Sequence, residues 1–214
     1  TQDSLSAHWF GFSDNLSGIS HYEFALGISP GDSSIAAWEN VGQDTFYVKS
    51  VALSDAQAYY VSIRAIDSVA NRSEFVSTDG VTTDLTAPVI GSVFDSSEAN
   101  EIDWTHVLNS LFCTWSGFSD SVSGILFYEI SLGTSSNGTD VVSWTHNADS
   151  THVQLGGLDL ENGLEYFLNV RAIDAVYNVS AVSSTNGITT DTIPPVVVSV
   201  FEGATDIDLD YQGT

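Results

Sequence analysis

"YYVSIRAID", residues 59–67, places its apolar side chains on every second position: Tyr59, Val61, Ile63 and Ala65 share one face. Ser62 and Arg64 fall on the other face, and Asp67 closes the run. A period of two is what a half-buried β-strand requires, because successive side chains point to opposite faces of a sheet. A twin, "YFLNVRAID" at 166–174, sets Tyr166, Leu168, Val170 and Ala172 against Asn169 and Arg171. The duplication extends outward from there. "WFGFSDNLSGI" (9–19) and "WSGFSDSVSGI" (115–125) are identical at eight of eleven positions. "HYEFALG" (21–27) answers "FYEISLG" (127–133), Trp38 answers Trp144, and Leu53 answers Leu160. "RAIDSVANRS" (64–73) answers "RAIDAVYNVS" (171–180), and "DGVTTDLTAP" (79–88) answers "NGITTDTIPP" (186–195). The offset grows from 106 to 107 through one inserted residue between Trp144 and Leu160. A period this long marks duplicated domains and not the unit of a solenoid. The alternating runs are separated by clusters of Gly, Asp, Asn, Ser and Pro, and no window shows an amphipathic helix. The pattern predicts an all-β chain.

Its 214 residues suit two domains of this size, and 43% apolar content with 5 Trp, 8 Tyr and 11 Phe supplies a core for each. Charge is lopsided: 28 acidic residues face only Lys49, Arg64, Arg72 and Arg171, a net charge of −24. Such a surface repels phosphate, which excludes nucleic acid and anionic membranes as partners and suits divalent cations, high salt or plain solubility. No apolar run approaches the roughly 20 residues that span a bilayer, so membrane insertion is not expected. The chain has no Met and no signal peptide, as a mature or excised piece would. Its one cysteine, Cys113, alternates with Leu111 and Trp115 as Ala7 does with Leu5 and Trp9, and reads as a small buried apolar residue. Scarce cysteine beside abundant Ser, Thr, Asp and Gly points to a secreted bacterial product, extracellular or on the cell surface.

The residues resemble fibronectin type III domains: a Trp late in the second strand, then Leu-x5-Tyr, then alternating apolar residues to "RA". Here these are Trp9 with Leu53 and Tyr59, and Trp115 with Leu160 and Tyr166. The resemblance implies two tandem antiparallel β-sandwiches of fibronectin type III-like topology, with each Tyr a tyrosine corner bonded to upstream backbone. Similar phrases occur in repeats of large bacterial surface and secreted proteins. It also implies boundaries. Residues 1–86 form a repeat without its first strand, 87–193 a repeat that begins with "APVIGSVFD" (87–95), and 194–214 the first strand of a following repeat or a strand donated to a neighbouring molecule. "PPVVVSVFEG" (194–203) repeats that opening strand, and the end of the chain reads on into its own beginning, as in a slice of a longer array.

No catalytic constellation stands out. The five histidines do not recur between copies, and no nucleophile-elbow or His-Glu-x-x-His phrase occurs. The chain is therefore expected not to be an enzyme. Recurrent acids are more informative: Asp14 and Asp120 follow the second strand, Asp67 and Asp174 the sixth, and Asp84 and Asp191 precede the linkers. In a sandwich of this type Asp84, Asp120 and Asp174 converge, and hard oxygen ligands in number are what Ca²⁺ requires. The competing reading is that each Asp caps its own turn through hydrogen bonds to nearby backbone. Trp38 and Trp144 are candidates either for stacking on a sugar or for packing across the sandwich, and Trp104 and Tyr211 occupy equivalent places elsewhere. Asn71 and Asn178 sit in glycosylation-type triplets at points where a loop Asn takes a positive φ. The expected role is a non-catalytic stalk, spacer or filament segment. Its partners would be neighbouring repeats or copies of itself head-to-tail; the alternatives are a glycan- or protein-binding module and accessory domains of a secreted hydrolase.

Overall fold

The computed structural model describes residues 4–97 and 101–199; Tyr211 and the stretch 200–214 lie outside them. All regular structure among the described residues is β. The first copy forms β1 (Ser4–His8), β2 (Ile19–Gly27), β3 (Ala36–Asn40), β4 (Phe46–Ser50), β5 (Ala58–Asp67), β6 (Val76–Ser77) and β7 (Val81–Thr82). The second forms β8 (Ser92–Phe94), β9 (Trp104–Thr105), β10 (Ser110–Ser116), β11 (Ile125–Gly133), β12 (Val142–His146), β13 (His152–Gly156), β14 (Glu165–Asp174), β15 (Ser183–Ser184) and β16 (Ile188–Thr190).

The two copies build the same pair of sheets. In the first, β1 pairs β4, facing a sheet of order β3-β2-β5-β6 with β7 also on β5. In the second, the corresponding sheets run β13-β10-β8 and β12-β11-β14-β16-β9, with β15 on β14. Among the described residues, β9 runs parallel to β16, Trp104 opposite Thr189, while the neighbouring pairs are antiparallel. β9 lies inside the connection from β8 to β10, which passes the outer edge of β16 in the same direction. By packing density the chain divides into two compact units. Among the described residues, one holds 4–90 with 118–127 and 171–181, the other 91–97 and 101–117 with 128–170 and 182–199.

The first core gathers Ala7, Trp9, Tyr22, Phe24, Leu26, Tyr59, Val61 and Ile63, with Leu53 packed partly buried against it. In the second, Leu111, Cys113, Trp115, Tyr128, Leu160, Tyr166, Leu168 and Val170 are buried. Each Trp meets the Tyr of the next strand edge-on, Trp9 with Tyr22 at 5.6 Å and Trp115 with Tyr128 at 5.4 Å between ring centroids. Edge contacts of this kind add to the area buried because the positive ring edge meets the negative ring face. The Tyr59 hydroxyl accepts a bond from the Ser54 N–H and the Tyr166 hydroxyl one from the Glu161 N–H, both at 2.8 Å, so each corner ties a strand to the loop before it. Cys113 is fully buried, and that burial pushes its thiol well above its ordinary pKa, which leaves it a packing residue without thiolate reactivity.

Two mutations test these contacts by urea denaturation. Tyr166→Phe should cost about 0.5–1.5 kcal/mol, the net worth of one hydrogen bond. Trp115→Ala should cost about 3–5 kcal/mol through the cavity it leaves. An unchanged midpoint for Trp115→Ala would remove Trp115 from the core.

Candidate metal centre

Two loops and one linker segment, all within the same compact unit, carry the recurrent acids. After β10, "SDSVSG" turns on Asp120: its Oδ1 accepts the N–H groups of Val122 (3.0 Å), Ser123 (2.9 Å) and Gly124 (2.9 Å). The turn closes at Gly124 with φ 77°, a left-handed conformation that a side chain disfavours. After β14, Asp174 does the same: Oδ1 accepts from the N–H groups of Val176 and Asn178, at 2.9 and 2.8 Å. Its Oδ2 accepts from the Asn178 side-chain amide at 2.8 Å. Past β7, Asp84 Oδ1 accepts from the Thr86 N–H at 3.2 Å, and Oδ2 reaches across to the Ser123 N–H at 3.1 Å.

The turn-capping geometry is thus present at every one of these carboxylates. It engages Asp120 through Oδ1 alone among the described residues, and the three side chains still converge. One ligand oxygen from each of Asp84, Asp120 and Asp174 lies within 4.8 Å of the other two. Two oxygens each about 2.4 Å from Ca²⁺ lie at most about 4.8 Å apart, so this spacing is one that a single hard cation bridges. Asp84 and Asp174 are buried, at 6% and 0% exposure, and Asp120 is half-buried. Burial pushes the Asp84 carboxyl up, but hydrogen bonds from Ser123 and Thr86 outweigh it and hold the group below the usual carboxylate range.

Asn178 is a member of the site that the sequence did not single out for it. Its amide donates to the carbonyls of Thr86 (3.0 Å) and Asp84 (3.4 Å) as well as to Asp174, so it ties the linker segment to the loop after β14. The signal was available, because "RAID…N" recurs with Asn at a fixed four-residue distance from Asp. In neither copy does that Asn take the positive φ expected of it. The left-handed residues are Ala70 (φ 69°) and Tyr177 (φ 70°), one position earlier, because the Asn side chains bond back to Asp67 and Asp174.

The first copy reproduces two thirds of this arrangement. Asp14 Oδ1 accepts the N–H groups of Leu16, Ser17 and Gly18, and Asp67 Oδ1 those of Val69 and Asn71. Asp14 and Asp67 line one small cleft, but Arg72 lines it too, where the second copy has Val179. Asp191 caps its own turn by accepting the Ile193 N–H at 2.9 Å. Among the described residues, no third acid joins Asp14 and Asp67.

Trp38 does not pack across the sandwich. It lies on the outer face of its sheet, with the Arg64 guanidinium 4.1 Å above its ring centre and Phe75 beside it at 6.3 Å. Arg64 alternates with the core-facing Ile63 and Ala65, so its stem rises on the solvent side, and the aromatic ring is the natural cover for a cation there. That places a guanidinium on the ring face a sugar would stack on. Trp144 is likewise half-buried, and Trp104 is 65% exposed.

No family model matches the sequence, and no curated protein matches it. Solved structures of similar shape include the FN1–FN3 domains of chicken CNTN1, at a TM-score of 0.44 and 15% identity over 89% of this chain and 64% of that one. They also include the fibronectin(III)-like modules of Clostridium thermocellum CbhA, at 0.42 and 12% identity over 92% of each chain. This chain spans about two thirds of the length of the CNTN1 structure. The fibronectin type III-like fold class rests on the chain's own strand pairing and its paired tyrosine corners.

Asp84 gives a pH test. A carboxyl held low in the folded state contributes stability above its unfolded pKa, about 3.9. That contribution is lost as pH falls through the lower folded value. In chelator, denaturation midpoints of the parent should therefore drop below about pH 4, and those of Asp84→Asn should drop less. Equal acid slopes would show that Asp84 contributes nothing.

Proposed function

We propose that this chain is a non-catalytic spacer or adhesive segment of an extracellular surface protein, and that Ca²⁺ held by Asp84, Asp120 and Asp174 stiffens the segment after β7 against the loops after β10 and β14. The observation that carries the reading is the convergence of three carboxylates, two of them buried, within 4.8 Å in a chain of net charge −24. Without a cation, like charges at this distance oppose each other. With one, the same oxygens complete a hard-ligand set that water and backbone carbonyls fill to about six to eight. A spacer gains from this, since the segment after β7 is then tied at one point to the loops after β10 and β14. Two copies of one sandwich, each closed by its own aromatic core, suit a role that is mechanical. An acidic surface keeps such a segment soluble outside the cell.

Thermal melting in millimolar Ca²⁺ and in EDTA tests the proposal. Binding adds RT ln(1 + [L]/Kd), about 2.7 kcal/mol at a hundredfold excess over Kd, so the midpoint should rise with Ca²⁺. Asp120→Asn keeps an oxygen for the turn and removes one charge. It should melt at or above the parent in EDTA and below it in Ca²⁺. Identical melting of the parent in both conditions, or the same sign of effect for Asp120→Asn in both, would overturn the metal reading.

A further inference from the structure

An asparagine followed by glycine is open to attack on itself, because glycine leaves its backbone nitrogen unshielded and free to turn toward the side-chain amide. The second copy contains three such pairs, Asn137–Gly138, Asn162–Gly163 and Asn186–Gly187. The first copy contains none: Asp55 stands at the place of Asn162, and Asp79 at the place of Asn186. Cyclisation needs two freedoms. The glycine N–H must be unengaged, and the asparagine amide must be able to swing over it.

Two of the three pairs are pinned. The Gly163 N–H donates to the Thr190 carbonyl at 2.8 Å, and Asn162 Oδ1 accepts from the Thr192 N–H and hydroxyl at 2.7 and 2.8 Å. The Gly138 N–H donates to the Ser135 carbonyl at 2.9 Å, and the Asn137 N–H to Asn169 Oδ1 at 2.9 Å. The amide of Asn169, itself fully buried, donates to the Gly138 carbonyl at 2.8 Å. Asn186–Gly187 is built differently. The Thr185 N–H donates to the Leu168 carbonyl at 2.9 Å and Ile188 lies opposite Tyr166, so Asn186 and Gly187 together face the one residue Phe167. That is a β-bulge, whose extra residue stands outside the ladder. Neither the Gly187 N–H nor the amide of the exposed Asn186 engages a partner among the described residues. Glycine is required there, since φ is 105° and a Cβ would lie 2.6 Å from Glu165 Oε1.

We propose that Asn186 is a self-modifying site, at which the folded chain deamidates with water as the only co-reactant. The Gly187 backbone nitrogen gives up its proton and attacks Asn186 Cγ. The new N–Cγ bond forms, the Cγ–Nδ2 bond breaks, and Nδ2 leaves as ammonia. Water then opens the cyclic imide. Breaking the new N–Cγ bond gives an ordinary aspartate; breaking the original peptide bond instead leaves an isoaspartyl link. The balance is one water taken up and one ammonia lost. The first copy already carries the aspartate form of this bulge: the Thr78 N–H donates to the Val61 carbonyl and Val81 lies opposite Tyr59, so Asp79 and Gly80 face Tyr60. There Ala58 stands at the place of Glu165. Deamidation in the second copy therefore adds a carboxylate next to the glycine that Glu165 already touches, just ahead of the buried Ile188. This inference rests on the bulge alone and does not depend on the metal reading.

Ageing the folded 214-residue chain in mildly alkaline buffer tests the proposal, with chymotryptic peptides read by mass and by isoaspartyl methyltransferase labelling. Asn186 should convert about tenfold faster than Asn137 or Asn162, because each of those must first break a hydrogen bond in order to react. In urea the three should convert at similar rates, which places the difference in the fold. Asn186→Gln, a change at an exposed side chain, should lose the label and keep the melting temperature of the parent. An Asn186 amide that persists in the folded chain, equal rates at all three sites there, the same bias in urea, or a label that survives Asn186→Gln would overturn the proposal.

Discussion

The contact on which both copies depend is the meeting of a tryptophan from one sheet with a tyrosine from the other, Trp9 with Tyr22 and Trp115 with Tyr128. Each pair sits next to the turn that follows its tryptophan strand, and that turn is the one organised by Asp14 or Asp120. The indole therefore fixes more than the core: it sets where the strand leaves the sandwich and hence where the capping carboxylate lies. The indole N–H of each Trp is buried with no hydrogen-bond partner among the described residues. That costs on the order of 1–3 kcal/mol per group, which the aromatic burial offsets. The tyrosine corners secure the opposite end of the same architecture.

Charge is distributed unevenly over this frame. Three of the four cationic side chains lie in the first copy, and there they pair: Arg64 with Glu23 at 2.6 Å, Arg72 with Glu23 at 3.8 Å, and Lys49 with Glu39 at 2.8 Å. Arg72 also lines the cleft of Asp14 and Asp67, so that pair has a cation of its own chain nearby. Its counterpart Val179 supplies none to the turn of Asp174. Asp95 shows the same shortage in the second copy. It is buried at 2% exposure and accepts the Ile102 N–H at 2.8 Å on one oxygen, and burial pushes its carboxyl above the ordinary range.

The period-two alternation of "YYVSIRAID" and its twin made the strands legible, and the Leu-x5-Tyr spacing made the corners legible, because both are local rules of backbone and side-chain geometry. The convergence of Asp84, Asp120 and Asp174 was legible only through the repeat, which separates acids held at fixed places from the many that cover the surface. What escaped depends on particular side-chain partners and on the path of connections. The outward position of Trp38 follows from Arg64, on a strand that shares its sheet but lies 26 residues away. The parallel pairing of β9 follows from the path of a connection. The left-handed residues are Ala70 and Tyr177 because the neighbouring Asn side chains are held by aspartates four residues back. None of these is encoded by composition or period.

The account makes the two copies unequal in one respect: three acids meet at one place, while Asp14 and Asp67 face Arg72 with no third acid among the described residues. Calcium titration by calorimetry measures that inequality directly. The account predicts one site per chain, abolished by Asp174→Ala and retained in Asp67→Ala. Two equivalent sites, or a single site that survives Asp174→Ala, would contradict it.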